Sequence, residues 1–280
     1  MNITISGASG FIGQHLLKSL AEAGHSPHAL SRHEPPAESL LEADAIIHLA
    51  GEPVAQRWTA EAKRRIRESR VMGTRRLVEA LAMLPRRPEA LICASAIGYY
   101  GSRGDEVLTE SSAPGSGFLP EVCVAWEKEA QAAEAFGIRV VRVRTGVVLG
   151  AGGGALARML PPFRMGVGGR LGNGRQWMSW IHQEDLVALF QFAVESQIRG
   201  ALNAVAPHPV TNSDFTRELA RTLGRPAVFP VPGFALRLLF GEMAEVLLAS
   251  QRVAPAAAEA AGFHFRFPQL APALESLLGR

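Results

Sequence analysis

Short apolar runs alternate with stretches of helical periodicity along the first half of the chain. The runs predict five strands, at Asn2–Ser6, His28–Ser31, Ala45–Ala50, Ala90–Ser95 and Arg139–Arg144. Between them, apolar residues recur at helical spacing after Gly10, at about 60–84 and at about 120–136. Strands that alternate with helices predict an α/β fold with a doubly wound parallel sheet.

The pattern changes past Gly150. Glycine and proline accumulate in predicted loops, at Gly152–Gly154, Pro161–Pro162 and Gly166–Gly174. Shorter helices are predicted beyond them, at Gln183–Glu195, Ser213–Leu223 and Pro268–Leu278. We expect an N-terminal α/β domain over 1–150, to which elements return from about 182–206. A smaller C-terminal capping lobe is expected over 151–280. It would form one wall of a cleft whose other wall is the N-terminal domain.

The first strand is followed by glycines at G-x-x-G-x-x-G spacing, and then by a helix. Gly7 permits a tight turn, Gly10 lets phosphates approach the backbone, and Gly13 lets the helix lie close to the strand. Backbone N–H groups and a helix N-terminus in this arrangement can hold a pyrophosphate. We predict dinucleotide contacts from Gly7, Ser9, Gly10, Phe11, Ile12 and Gly13.

The end of the second predicted strand indicates which dinucleotide binds. A carboxylate there would bond both ribose hydroxyls of NAD and repel a 2′-phosphate. Here the residues are Ser31, Arg32 and His33, and the nearest acid is Glu34. Since arginine offers a charged fork to phosphate, we predict NADP(H), held by Ser31 and Arg32. The alternative is that Arg32 is an exposed loop residue.

The net charge and the distribution of basic residues argue against a nucleic-acid-binding protein. The net charge is only +3, and eight basic residues between Arg57 and Arg76 are interspersed with glutamates. This predicts a solvated helix face, which could pair with its twin in a homodimer, rather than a nucleic-acid platform.

Of the two cysteines, Cys93 is predicted to be a core residue and Cys123 the more accessible. No apolar run has membrane-spanning length and no signal peptide precedes the first strand, so we expect a cytoplasmic protein without a membrane partner.

Several motifs resemble the extended short-chain dehydrogenases/reductases. Beside the glycine loop, these are His48–Gly51, Gly73–Thr74, Ser95 with Tyr100–Gly101, Trp180–Asp185 and Leu202–Pro207. More narrowly, the chain resembles an atypical branch called sugar-nucleotide-epimerase-like, which also carries the label of cell-division inhibitor. The narrower motifs are His48–Glu52, Ser69–Arg70, Gly98–Gly101, Trp126–Glu127, Arg144–Gly150, Ser250–Pro255 and Gly262–Phe265.

The resemblance covers nearly the whole chain. It implies a Rossmann fold, NADP binding and a family-specific C-terminal domain of unknown function in about the last fifty residues. With it we predict further cofactor contacts from Leu49, Ala50, Gly51, Arg70, Ser95 and Val148.

The catalytic dyad of the parent superfamily is absent. There, a lysine four residues after a tyrosine lowers the tyrosine pKa, so that the phenolate can exchange the alcohol proton. This chain has only two tyrosines, Tyr99 and Tyr100, and no Tyr-x-x-x-Lys. The helix on which the dyad is expected reads Val122-Cys-Val-Ala-Trp-Glu-Lys128.

Other residues are candidates for the missing chemistry. Ser95 either bonds a substrate oxygen or caps the strand end, and Tyr99 or Tyr100 could supply a phenol whose pKa Arg103 lowers. We take Ser95 and Tyr99 as the catalytic candidates. Glu127 is a candidate acid/base group, but the preferred interpretation is a solvated helix glutamate.

The other wall of the cleft offers candidate substrate contacts. Arg175 could meet a phosphate and Trp177 could stack on a ring, with Tyr100 as a third contact. Trp180 is expected to pack the lobe. His182 and Asp185 are interpreted as a helix start, and no metal site is predicted.

Two hypotheses follow. The first is an NADP-dependent oxidoreductase or epimerase with a non-standard acid/base group. The second is a catalytically silent NADPH-binding protein that reports redox state to a partner.

Overall fold

The structure, a computed structural model, describes residues 1–30 and 40–279. The strands are β1 Asn2–Ser6, β2 Ser26–Leu30, β3 Ala45–His48, β4 Ala90–Ala96, β5 Val107–Leu108, β6 Arg139–Thr145, β7 Val147–Gly150, β8 Trp177–Met178, β9 Trp180–His182, β10 Gly200–Ala204, β11 Val210–Thr211 and β12 Arg252–Val253. The α-helices are α1 Phe11–Glu22, α2 Ala60–Ala82, α3 Phe118–Gln131, α4 Gly154–Arg164, α5 Gln183–Glu195, α6 Asn212–Leu223, α7 Gly233–Phe240, α8 Ala244–Leu248, α9 Ala256–Ala260 and α10 Leu270–Leu278.

Six strands form the central sheet in the order β10-β6-β4-β3-β1-β2, and every pair is parallel. Because such a sheet is covered on both faces, its strands read as continuous apolar runs, and all four residues of β3 are buried. Helices α1 and α5 cover one face through Leu16, Leu20 and Phe190. Helices α2 and α3 cover the other through Leu77, Leu81 and Trp126. The predicted doubly wound parallel fold is therefore confirmed.

The predicted elements differ from the observed ones mainly at their ends. β2 begins at Ser26, two residues before the predicted strand, and β3 ends at His48 rather than Ala50. α3 ends at Gln131 and continues as a 3₁₀ turn to Phe136. The end of the second predicted strand, with Ser31 and Arg32, lies outside the described residues.

One prediction was wrong. The segment past Gly150, predicted as loops, contains α4, with Pro161 and Pro162 inside the helix. Proline interrupts the hydrogen-bond ladder of a helix. Burial of Leu156, Leu160 and Phe163 on one face outweighs this cost, because their spacing places them against a second core that includes Trp180 and Phe215.

The C-terminal part of the chain returns to the sheet more than once. α5 packs on the sheet and β10 forms its edge strand, while β12 pairs in parallel with the short β5. Among the described residues, no helix combines the length and the apolar character that crossing a membrane requires.

We predict that Gly13→Ala destabilises the fold. A Cβ at Gly13 would lie 2.5 Å from the Gly7 carbonyl oxygen and 2.6 Å from Ala8 Cα, and these backbone atoms cannot move aside without shifting β1. Overpacking of this kind costs about 1–3 kcal/mol, which chemical denaturation measures. Gly73→Ala on α2 is the matched control, since a Cβ there meets no atom within 4 Å. It should raise the unfolding free energy by up to about 1 kcal/mol. Equal effects of the two substitutions would contradict the packing assignment.

Candidate functional site

The glycine loop lies at the carboxyl edge of the sheet, where α/β proteins bind ligands. Gly7 has a φ of 74°, in the left-handed region that favours glycine, and its carbonyl accepts the Gly10 N–H at 3.0 Å. A Cβ at Gly7 would lie 2.9 Å from the Ala50 nitrogen. The loop after β3, with Leu49 and Ala50, is therefore packed directly against the glycine loop.

The N-terminus of α1 is open to a ligand. Its N-cap, Gly10, supplies no side-chain cap, and the first turn contains no acidic residue. Ser9 and Gly10 are exposed, while Phe11 and Ile12 are half-buried. A helix N-terminus with exposed amides and no neutralising carboxylate is suited to a pyrophosphate.

Arg70 faces the same loop from α2. A Cβ on Gly51 would lie 3.1 Å from the Arg70 Cζ, and the guanidinium also lies over the Trp126 ring, 5.1 Å from its centroid. Arg70 donates to the carbonyls of Glu52 at 2.9 Å and Ile66 at 3.2 Å, and no ion pair of Arg70 is found among the described residues. Burial lowers the pKa of Arg70. A half-buried cation whose hydrogen bonds go to carbonyls is well placed for a phosphate.

His48 lies beneath this loop and links three elements. Its Nδ1 bonds the Ser6 hydroxyl of β1, and its Nε2 lies 3.0 Å from the Thr74 hydroxyl of α2. Burial lowers the pKa of His48 to about 4, so the ring is neutral near pH 7. These contacts make His48 a packing residue of the cleft floor.

The segment of Val148 lies across the cleft edge from the glycine loop. Val148 is half-buried on β7 and pairs with Ile181 of β9. The Phe11 ring packs on the glycines that follow, since a Cβ at Gly150 or Gly153 would lie 2.4 Å from it. The first turn of α1 is thus joined to the β7–α4 turn.

A buried ionic network occupies the carboxyl ends of β4 and β6. Arg144 forms a two-pronged pair with Glu127, in which both N···O distances are 2.8 Å, and both side chains are 4% exposed. The Ser95 hydroxyl donates to Glu127 at 2.7 Å. Burial opposes the charge of Arg144, but the bonds to Glu127 and its charge raise the Arg144 pKa overall. The carboxylate thus engages the proton of Ser95.

The two tyrosines contact the same arginine. Arg144 donates to the Tyr100 hydroxyl at 2.9 Å, and that hydroxyl donates to Asn203 Oδ1 at 2.7 Å. Tyr100 is fully buried, which raises its pKa against the opposing effect of Arg144. The half-buried Tyr99 lies over the guanidinium, with the Arg144 Cζ 3.5 Å from its ring centroid. Of the two phenols, only that of Tyr99 has no hydrogen bond within the network.

Three expectations at this site were wrong. Glu127 is not a solvated helix glutamate, because Arg144 and Ser95 compensate its burial. Cys123 is 3% exposed rather than accessible, and burial raises its thiol pKa to about 12. Arg103 pairs with Glu106 at 2.8 Å, and the cation beside the tyrosines is Arg144.

The sequence also contains a signal for this network, in the charged residues of β6. A central parallel strand is buried on both faces, so charged residues within it require buried partners. Arg142 and Arg144 stand in β6 at such positions. The carboxylate that could pair with them is Glu127, four residues after Cys123. It lies on α3, the helix where the Tyr-x-x-x-Lys dyad was expected.

The remaining predicted residues lie further along the C-terminal part. Trp177 donates its indole N–H to Asp105 at 2.7 Å, and Trp180 is fully buried, as expected of a packing residue. Arg175 is exposed. Asp185 accepts the N–H groups of Arg266 and Phe267, which fixes the C-terminal segment to α5.

His182 begins α5 and also contacts the C-terminal helix. It accepts the Glu184 N–H, and its Nε2 lies 3.1 Å from the Ser276 hydroxyl. In the part of the chain that the structure describes, no group of three or more histidine, cysteine or acidic side chains could hold a metal ion.

A parallel sheet with a glycine loop between β1 and α1 defines a protein of the Rossmann class, a fold in which dinucleotides bind at this edge of the sheet. The chain belongs to the NAD dependent epimerase/dehydratase family, whose profile matches residues 3–204. Residues 231–277 match a domain of unknown function, DUF1731. The predicted resemblance to an atypical, epimerase-like branch with its own C-terminal domain is confirmed.

Relatives match over nearly the whole chain. The epimerase family protein YfhF of Bacillus subtilis is 39% identical over an alignment of 298 positions, which covers 99% of this chain and 98% of that protein. The chloroplastic SDR39U1 homolog of Arabidopsis thaliana is 38% identical over an alignment of 302 positions, which covers 99% of this chain and 87% of that protein. The crystal structure of human epimerase family protein SDR39U1 with NADPH has a TM-score of 0.93 at 34% identity, covering 99% of each chain.

We predict that Glu127→Gln strongly destabilises the protein. The substitution leaves the buried Arg144 guanidinium without its counter-charge, at a cost of about 3–5 kcal/mol in a denaturation experiment. The double variant Glu127→Gln with Arg144→Gln should recover part of this loss. Glu61→Gln, which removes an exposed partner of Arg64, is the control and should have a much smaller effect. A loss no larger than that of the control would show that the pair is not buried.

We predict that stability falls as the pH is lowered from about 6.5 to 5. The folded-state pKa of His48 is about 4, below its ordinary value of 6.5, so the unfolded chain binds more protons in this range. His182 has the same shift and acts in the same direction. Denaturation at several pH values should show a shallower pH slope for His48→Gln than for the unchanged protein. An unchanged slope in His48→Gln would contradict the assignment.

Proposed function

We propose that this protein binds NADP(H) between the glycine loop and the loop after β3. The open N-terminus of α1, packed against Leu49 and Ala50, is the observation that carries the proposal. Pyrophosphate would lie on the amides of residues 9–13, and Arg70 would contact a phosphate or ribose from α2. The human relative, whose crystal structure contains NADPH, supports the choice of ligand.

The preference for NADP(H) over NAD(H) is the finer part of this proposal. It rests on Ser31 and Arg32, which supply a hydroxyl and a guanidinium where NAD-specific proteins place a carboxylate. Arg70 adds positive charge beside Gly51. No acidic residue stands between Leu30 and His33 to oppose a 2′-phosphate.

We propose that the protein is an epimerase-like or oxidoreductase-like enzyme with non-standard acid/base residues. NADPH, when bound, supplies a hydride, and the chain must then hold or move a proton at the substrate oxygen. Tyr99 is the candidate, because its phenol is outside the network while its ring is held on Arg144. Ser95 can accept a hydrogen bond there, since its own proton is directed to Glu127.

A catalytically silent NADPH-binding protein is the second candidate. The observation that favours it is the closed network, in which Ser95 donates to Glu127 and Tyr100 donates to Asn203. Neither hydroxyl has a lysine partner that would turn it into a proton relay. The two candidates differ in whether any carbonyl compound oxidises NADPH or any nucleotide sugar reduces NADP⁺, and in whether Tyr99→Phe abolishes that hydride transfer.

We also propose a domain division, an oligomeric state and a cellular location. Residues 151–280, apart from α5 and β10, would form a capping lobe, and their own core cluster supports this division. Homodimer formation through α2 and α3 is supported by the exposed apolar residues Met72 and Val124. A cytoplasmic location is supported by two free, buried cysteines.

A nicotinamide-fluorescence titration of cofactor-free protein with NADPH and NADH tests the proposal. Arg32→Ala should remove the preference for NADPH, since the 2′-phosphate loses its charged partner. The affinity for NADPH should fall about tenfold to hundredfold. Arg70→Gln should weaken both nucleotides.

Arg76→Ala, which removes another arginine of α2, is the matched control for this titration and should bind like the unchanged protein. Binding of neither nucleotide would overturn the proposed site. Equal binding of both in the unchanged protein would overturn the choice of NADP(H) alone.

A further inference from the structure

A separate cavity lies in the C-terminal part of the molecule. It has a volume of about 240 Å³, and its lining includes Trp177, Arg252 and the turn Pro207–Pro209. None of its lining residues comes from the glycine loop or the loop after β3. A cavity of this size suits one small functional group rather than a dinucleotide.

Trp177 is fixed in this cavity at two points. Its indole N–H donates to Asp105 Oδ1 at 2.7 Å, and its backbone N–H donates to the Ser250 hydroxyl at 3.0 Å. The Ser250 hydroxyl in turn donates to the Gly104 carbonyl at 2.7 Å. The ring plane is therefore set by the protein before any ligand arrives.

Arg252 is held just as firmly at its backbone. The Ser179 hydroxyl donates to the carbonyl of Gln251 at 2.8 Å and accepts the N–H of Val253 at 2.9 Å, on either side of the arginine. Arg252 also pairs with Val107 in the β12–β5 ladder. Its guanidinium lies over the Trp177 ring, with Cζ 4.5 Å from the ring centroid. This stacking fixes the plane of the fork.

Among the described residues, no acidic side chain pairs with the Arg252 guanidinium. Arg237 and Arg266, in the same stretch of chain, form ion pairs with Glu245 and Glu184. For Arg252, neither an ion pair nor a side-chain hydrogen bond is found within residues 1–30 and 40–279, and the stack on Trp177 is its one contact of this kind. The side chain is half-buried at the cavity wall. A fixed fork with free N–H donors matches the geometry of an oxyanion.

We propose that this cavity binds a small oxyanion, a carboxylate or a phosphate group, on the Arg252 guanidinium above Trp177. The nearby His208 side chain is exposed at the rim and can add a hydrogen bond. The site is independent of the dinucleotide site. It adjoins the ionic network, because the carbonyl of Ala254, two residues after Arg252, accepts the Asn203 side-chain N–H at 2.9 Å.

Titration calorimetry of the full chain with inorganic phosphate, and separately with malonate, tests this site. Ionic strength is held constant with chloride, so that non-specific screening does not change. We expect saturable binding, weakened about tenfold to hundredfold in Arg252→Ala. Arg252→Lys should bind more weakly than the unchanged protein, because it keeps the charge but loses the planar fork. If Arg252→Ala does not fold, anion binding by Arg252→Lys tests the proposal in its place.

Two further variants separate this site from other sources of anion binding. Arg199→Ala removes an exposed arginine elsewhere and should bind normally. Arg70→Ala disables the proposed dinucleotide site and should also leave anion binding intact. The proposal is overturned if neither anion gives saturable heat, if Arg252→Ala binds as tightly as the unchanged protein, or if only Arg70→Ala loses binding. The anion that binds more tightly identifies the group.

Discussion

Two glycines allow three backbone segments to meet at the carboxyl edge of the sheet. A Cβ at Gly7 would lie 2.9 Å from the backbone after β3, and a Cβ at Gly13 would lie 2.5 Å from the Gly7 carbonyl. Only residues without a side chain permit this approach. It places the N-terminus of α1 beside Leu49 and Ala50, with Arg70 behind them. The candidate dinucleotide site depends on this contact, since the amides and the guanidinium converge only when the three segments are packed.

The second determinant of the cleft is the buried pair of Glu127 and Arg144. It holds Ser95, Tyr99 and Tyr100 at the end of the sheet where a substrate would meet the cofactor. A buried pair of this kind is sensitive to the loss of either partner, and its value lies in fixed geometry rather than in net stability. The network replaces the charge arrangement of a Tyr-x-x-x-Lys dyad with one that is internally neutralised. For this protein, dinucleotide binding and catalytic turnover therefore have to be measured separately.

The sequence predicted the fold well where one local pattern decided the structure. Apolar runs marked the sheet strands, and the glycine spacing marked the loop, because backbone constraints act within a few residues. The pairing of Glu127 with Arg144 was not predicted, since it depends on α3 crossing β6. Cys123 was misplaced for the same reason. α4 was missed because local proline content opposed a helix that only the second core stabilises. The stack of Arg252 on Trp177 joins residues far apart in the chain, and no local pattern indicates it.

Hydrogen–deuterium exchange of the full chain, with and without NADPH, tests the central claim most directly. The claim is that the dinucleotide lies on the glycine loop and the N-terminus of α1. NADPH should slow exchange in residues 7–14 and in residues 49–52, because bound phosphates would engage or shield those amides. Slowed exchange confined to other parts of the chain, or no change at saturating NADPH, would contradict the account.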